Sequence, residues 1–342
     1  MLRIAFSTVV SLCIVLLIGP RVLEELRKLK FGQTIYELGP AHQQKQGTPI
    51  MGGTMMVIAV FCTTLILHPL PWNDVWDFAI GLLALSLLNM LIGLVDDYTK
   101  VAKKRNLGLT ARQKLFGQVF VAVAFSCYCY FHPLVGSSVI IPFVNTEWDL
   151  GPFYLPIMTL LIMFIVNSSN LQDGLDGLLS SVTTIGGAGW GLVAVCMALT
   201  ASSSVLKGQY QTLAVFALAL TGAAMGFLRF NYYPAKVFMG DMGSMFIGGA
   251  TVGLALLLRQ PFLLLFIFFT PILSSVSVIL QRYYFKFTRI KFGEGRRIFK
   301  MAPIHHHFEK CGMTETQIIK MYGIVTAVLT ILAVASTNLP LN

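Results

Sequence analysis

The chain has 342 residues, of which 56% are hydrophobic and only 12% charged, with a formal net charge of +10. A soluble globular chain carries roughly 25% charged residues, so this composition excludes disorder and an ordinary water-soluble fold. The apolar runs leave no room for an exposed basic face, which excludes nucleic-acid reading as well.

Apolar runs long enough to cross a bilayer core of about 30 Å recur along the chain. They cover residues 2–20, 50–68, 75–95, 114–131, 153–170, 180–200, 210–228, 241–258, 262–281 and 317–336. This predicts an all-α polytopic membrane protein of about ten transmembrane helices, in a single domain spanning 1–342. Most charge follows the first run, and Gly19-Pro20 is a poor cleavage site, so that run reads as an uncleaved helix rather than a signal peptide. Thr48-Pro49 reads as N-cap and first residue of the second span, with Pro69 and Pro71 closing it. Thr110 with Gln113 reads as a capping box ahead of the fourth. In the long outer loop 132–152, the Val139–Phe143 run followed by Asn145 to Asp149 predicts a small external hairpin. The six cysteines form no metal spacing and read as small apolar fillers.

Loops 21–47, 96–114, 229–240 and 282–316, together with Lys320, hold all but three of the 25 Lys and Arg residues. Only Arg3, Lys207 and Arg259 fall on the other side. The positive-inside rule then places these loops in the cytoplasm and both termini outside.

The acids are more informative. Asp96 and Asp97 follow the third span, Asp173 and Asp176 follow the fifth, and Asp241 starts the eighth, so three mouths converge on one membrane face. Carboxylates near membrane depth cost a few kcal/mol each and are functional candidates by default. Two charges about 4 Å apart repel by about 4 kcal/mol at an effective dielectric of 20, so a proton, a lysine or a divalent cation has to relieve Asp96-Asp97. A solvated helix end beside Lys100, Lys103 and Lys104 is one reading. A Mg²⁺ site is the other, because Mg²⁺ is usually held by one or two carboxylates with substrate phosphates and water.

Asn167, Asn170, Asp173 and Asp176 recur every third residue and would share a helix face, although Gly174 and Gly177 predict a break or a close backbone approach. Asp241 lies in a glycine-flanked turn at a helix start, where the dipole favours anions; a simple N-cap is the plainer reading. Phe238 offers either a base-stacking face or an interfacial aromatic. His305, His306 and His307 cannot all point one way on a helix, and their spacing does not suit zinc. Beside Arg296, Arg297 and Lys300 they read as a phosphate-contacting loop. The Phe285–Phe299 stretch alternates basic and aromatic residues and suits a membrane interface. Lys45 and Lys114 stand near the same face and, with the acids, would balance a diphosphate.

Taken in order, Asp96-Asp97, the Asn170–Asp173–Asp176 block, Gly240-Asp241-Met-Gly243-Ser244 and Pro303-Ile-His-His-His-Phe-Glu309 resemble the polyprenyl-phosphate hexosamine-1-phosphate transferases. Within that superfamily, His42-Gln-Gln-Lys45-Gln-Gly-Thr-Pro-Ile-Met-Gly-Gly53 and the triple histidine resemble the phospho-N-acetylmuramoyl-pentapeptide transferases. The resemblance implies transfer of the phospho-sugar from UDP-N-acetylmuramoyl-pentapeptide to undecaprenyl phosphate, giving lipid I and UMP with Mg²⁺. It also implies ten helices in the bacterial inner membrane, often a homodimer, with a cytoplasmic cleft that meets one soluble and one lipid substrate. By the same resemblance Asp241 is the Mg²⁺ ligand and Lys114 holds phosphate. Asn170, Asp173, Asp176 and Phe238 take the uridine end, with Lys45 nearby, Asn231 is a further substrate-binding residue, and His305, His306 and His307 contact the sugar or diphosphate. Asp96 or Asp97 is the candidate base. A phosphate monoester's second pKa of about 6 leaves much of the acceptor dianionic at neutral pH, so positioning is an equal rival to base catalysis.

Met242 stands where the family pattern leads one to expect threonine, Arg229 where it has an aromatic, and Ser180-Ser181 where small Ala or Gly are common. A sister enzyme moving N-acetylglucosamine-1-phosphate shares the chemistry, but the Pro-Ile-His-His-His-Phe-Glu motif argues against it. A lipid-linked-sugar transporter would need acids at both gates, whereas these five aspartates cluster at one face.

Overall fold

A computed structural model describes residues 2–28, 47–68, 77–102 and 108–337. Lys45 lies outside the described residues, as do Pro69, Pro71, Lys103 and Lys104. The chain is an all-α polytopic membrane protein. Its elements are α1 (Leu2–Lys28), α2 (Gly53–Leu67), α3 (Phe78–Ala102), α4 (Ala111–Phe131), a hairpin of β1 (Ser138–Ile141) and β2 (Thr146–Asp149), α5 (Tyr154–Gln172), α6 (Leu178–Thr200), α7 (Ser204–Asn231), α8 (Gly240–Leu257), α9 (Leu264–Ile267), α10 (Phe269–Phe292), α11 (Ile304–Lys310) and α12 (Glu315–Ala335). Among the described residues, eight helices are long and apolar enough to cross a membrane. The bent α9–α10 pair makes up to nine, and α2 is a shorter apolar helix of 15 residues.

The helix α8 is the central post. Of its most apolar stretch 89% is buried, against 28% for α1 at the periphery. It packs against α2, α3 and α5, and this sets the site: the inner ends of α3 and α5 are brought to the first turn of α8. Gly93 of α3 lies so close to Asp241 that a Cβ there would stand 2.4 Å from the Asp241 carbonyl oxygen.

Several local expectations change. The third span continues to Ala102, so Asp96 and Asp97 sit inside a helix and are buried rather than at a solvated end. Thr48-Pro49 does not start α2, which begins at Gly53. Instead the segment crosses the start of α8: Phe238 N–H donates to Pro49 O (2.8 Å), Gly52 N–H to Phe238 O (2.8 Å) and Gly53 N–H to Met239 O (3.0 Å). Those pairs satisfy backbone groups that would otherwise be orphaned at a helix start. The ninth span is broken, with an 88° turn between Pro261–Ile267 and Phe269–Phe292. Pro271 explains it: proline has no N–H for the carbonyl four residues back, at Ile267, and its ring clashes there.

Other signals hold. Thr110 and Gln113 form the capping box. The outer hairpin pairs Val139 with Trp148 and Ile141 with Thr146. Arg259 clamps it, its carbonyl accepting Ile140 N–H at 2.8 Å and its guanidinium pairing with Glu147.

Candidate active site

Two facing helices carry the carboxylates. On α3, Asp96 and Asp97 are 4% and 2% exposed; on α8, Asp241 is in the first turn. One oxygen from each lies within 4.8 Å of the others. The turn before Asp241 requires glycine: Gly240 has φ +79°, and a Cβ there would meet Asp97 Oδ2 at 2.6 Å. Backbone donors hold the acids in place. Met242 N–H donates to Asp97 Oδ2 (3.1 Å) and Leu109 N–H to Asp96 Oδ1 (2.9 Å).

Two lysines relieve the repulsion. Lys100 Nζ lies 2.7 Å from Asp96 Oδ2, 3.4 Å from Asp97 Oδ1 and 3.1 Å from Asp241 Oδ2. Lys114, in the first turn of α4, donates to Asp241 Oδ2 at 2.8 Å. From α5, Asn170 Nδ2 donates to Asp241 Oδ1 and to Ser244 Oγ, both at 2.9 Å. The cluster thus has three carboxylates against two ammonium groups, with only oxygen donors. Such a set suits a hard divalent cation. Lys100 was visible in the sequence only as a nearby charge. Once α3 runs to Ala102 it falls four residues after Asp96 and three after Asp97, the spacing that makes helix neighbours.

The polar stripe on α5 does not continue as one face, because the helix ends at Gln172 with Asp173 as its C-cap. Its members part. Asn167 Nδ2 donates to Gln118 Oε1 of α4 (3.0 Å), and Asn170 joins the carboxylates. Asp173 stays beside the cluster: its carboxyl is pushed up to about 8, by burial first and then by the charges of Asp241, Asp97 and Asp176. Asp176 turns to the α7–α8 loop, where Ala235 N–H donates to its Oδ2 (2.9 Å). Asn231 is buried; its Oδ1 accepts from Gly177 N–H (3.2 Å) and Ser180 Oγ (2.8 Å), and its Nδ2 donates to Val237 O (3.0 Å). It therefore braces this turn from behind. Phe238 is half-buried against the core.

The three histidines occupy α11 and point three ways. His305 is fully buried, both ring nitrogens without a hydrogen-bond partner. Burial, then the neighbouring His306, holds its pKa well below the usual imidazole range. Its Nε2 would touch a Cβ at Gly174, only 2.4 Å away, so this ring fixes α11 onto the Asp173–Asp176 turn. His306 Nδ1 faces Glu309 Oε2, and His307 Nδ1 accepts Lys300 N–H (3.1 Å). A buried Glu315, which no sequence signal marked, accepts Asp176 N–H through Oε2 (3.3 Å). No spacing rule pointed to it, because 139 residues separate the two.

A membrane-embedded fold with an acid–lysine cluster at one end defines a class, and the chain matches glycosyl transferase family 4 over residues 79–259. It is a membrane transferase. It is 42% identical over 327 residues to the phospho-N-acetylmuramoyl-pentapeptide-transferase of Caldanaerobacter subterraneus subsp. tengcongensis, covering 95% of this chain and 96% of the relative. It is 42% identical over 328 residues to that of Clostridioides difficile, covering 96% and 95%, and 39% identical over 330 residues to that of Clostridium kluyveri, covering 96% and 98%. The chain belongs to the phospho-N-acetylmuramoyl-pentapeptide-transferase family.

Proposed function

We propose that this protein transfers phospho-N-acetylmuramoyl-pentapeptide from its UDP-linked form to undecaprenyl phosphate, releasing UMP and giving lipid I. The observation that carries this reading is the Asp96–Asp97–Asp241 cluster with Lys100 and Lys114 at a single end of the helix bundle. Phosphoryl transfer asks mainly for positioning and charge neutralisation, and this cluster provides both signs of charge on rigid helices. The family and its relatives' names support the substrates. The positive-inside pattern supports a cytoplasmic-facing site in the bacterial inner membrane. A homodimer is proposed on the family resemblance.

Asp241, with Asp96 and Asp97, would hold Mg²⁺, which when bound neutralises diphosphate charge and polarises the scissile P–O bond. Asp241 is the principal ligand, because it alone comes from the facing helix. Asp96 and Asp97 position rather than abstract protons: backbone N–H groups already hold an oxygen of each, and the acceptor phosphate is largely ionised at neutral pH. Lys114 and Lys100 exchange their carboxylate contacts for substrate phosphate oxygens. Asp173 stands beside the cluster and takes the donor's uridine end. Asn170 orients Asp241, and Asp176 with Asn231 shapes the turn beneath the nucleotide. Phe238 lies under the base, His306 and His307 face the sugar-diphosphate, and Lys45 adds a further cation.

UMP release tests this reading. Purified protein receives undecaprenyl phosphate with either UDP-N-acetylmuramoyl-pentapeptide or UDP-N-acetylglucosamine, with and without Mg²⁺. Mg²⁺-dependent UMP from the pentapeptide donor alone is the expected result. UMP from the N-acetylglucosamine donor moves the specificity to the sister reaction, and none from either donor with folded protein overturns the proposal.

A further inference from the structure

Away from the carboxylates, but at the same end of the bundle, the inner ends of α1 and α7 border a cavity of about 530 Å³. Three cations line it: Arg27 from α1, Arg229 from the last turn of α7, and Lys236 from the loop beyond. None of the three side chains makes an ion pair or hydrogen bond among the described residues. The one acid on the cavity wall, Glu24, is already taken by Lys28 Nζ at 2.9 Å. Three like charges line one space, with the one acid of its wall engaged elsewhere, so an anion entering it is attracted by all three.

The rest of the wall is apolar, made by Leu16, Pro20, Leu23 and Phe230. The wall is firm. The Phe230 ring sits against Gly19, where a Cβ would come within 2.5 Å. Further along, Gly222 of α7 lies so near α1 that a Cβ would stand 2.1 Å from Thr8 O. From the cavity, Leu16 and Leu17 lead along α1 with 42% and 75% of their surface exposed. Cations at the inner mouth and an exposed apolar track leading away from them match a molecule with an anionic head and a hydrocarbon tail.

We propose that the cavity binds the phosphate headgroup of an anionic membrane phospholipid, with its acyl chain along Leu16 and Leu17 of α1. A free phosphate shares the head chemistry but gains nothing from the apolar wall. Basic pockets between transmembrane helices on this side are suited to anionic headgroups, and each basic residue near an anionic surface is worth roughly fivefold in affinity.

The test uses the full chain in phosphatidylcholine nanodiscs carrying trace photoreactive phosphatidylglycerol, with crosslinks mapped by peptide mass. The wild type should label the inner end of α1, around Leu16 to Arg27. Arg229→Ala should lower that yield roughly fivefold, and adding Lys236→Ala should lower it further, while Arg229→Lys restores it. Both positions are exposed, and an unchanged melting temperature checks the fold; the single variants serve should the double variant be unstable. Unlabelled phosphatidylglycerol should compete and excess inorganic phosphate should not. Undiminished labelling in the variants overturns the proposal. Competition by inorganic phosphate as strong as by the lipid overturns the lipid assignment, and so does stronger competition by undecaprenyl phosphate.

Discussion

The two ends of the helix bundle both hold buried acids and bases, but they are wired differently. At the hairpin end, among the described residues, the acid–base contacts are separate pairs. Asp77 faces His68 at 3.3 Å, both about 1% exposed, and its Oδ1 also accepts Ala79 N–H at the start of α3; Arg259 pairs with Glu147. At the other end Asp96, Asp97 and Asp241 share Lys100 and Lys114, and Asp241 serves both lysines. Closed pairs stabilise the fold. A shared set with surplus carboxylate can exchange a lysine contact for a cation or a phosphate without leaving a buried charge bare, so the surplus, not burial, marks the site.

The comparison can be broken by substitution. Asp241→Asn should lower UMP release by more than about a hundredfold, the scale of losing one preorganised charge contact in a closed site. Its thermal unfolding in detergent should stay near wild type, and near-normal turnover at saturating Mg²⁺ removes Asp241 from the ligand role. Gly174→Ala comes next. The new Cβ would press on the buried His305 ring and push α11 off the Asp173–Asp176 turn, costing up to about a hundredfold; wild-type kinetics would show that the ring does not fix the turn. Lys114→Ala should lower kcat/KM for the nucleotide donor by roughly tenfold, in line with a hydrogen bond between charged groups. Unchanged kcat and KM would sink that role.

The fourth prediction concerns pH. The Asp173 carboxyl is pushed from an ordinary 3.8 up to about 8. Between those values the unfolded chain releases this proton while the folded chain keeps it, so Asp173 makes the metal-free protein less stable as pH rises through that window. Asn cannot ionise, so Asp173→Asn should show a smaller fall in melting temperature from about pH 5 to pH 8, and an equal fall would contradict the cause assigned. At the hairpin end the expectation reverses. Asp77→Ala should cost about 1–3 kcal/mol of stability, the scale of leaving buried hydrogen-bond partners unsatisfied, yet leave UMP release per folded molecule unchanged. A loss of turnover there would erase the distinction between the two ends.

Much of this was legible in the sequence. The polytopic class, the hairpin at 138–149 and the capping box at Thr110 follow from apolar length, alternation and cap chemistry, all local properties. So did the convergence of Asp96, Asp97, Asp173 and Asp241 on one end, because topology alone places span ends. What was not legible depended on where helices stop and on contacts across the chain. The extension of α3 turned Lys100 from a loop charge into the hub of the cluster. The end of α5 at Gln172 sent Asp176 to Ala235 and left Asn170 on Asp241. The crossing of Pro49–Gly53 with Phe238 and Met239, and the reach of Glu315 to Asp176, join segments that no periodicity connects.

The most direct test of the central claim is Mn²⁺ binding by the purified full-length protein, read by electron paramagnetic resonance, with Mn²⁺ standing in for Mg²⁺ at oxygen donors. The account predicts one saturable ion in the wild type, displaced by Mg²⁺ and lost in Asp241→Asn. Equal binding by the wild type and Asp241→Asn would show that the ion sits elsewhere and would contradict the ligand role of the α3–α8 carboxylates.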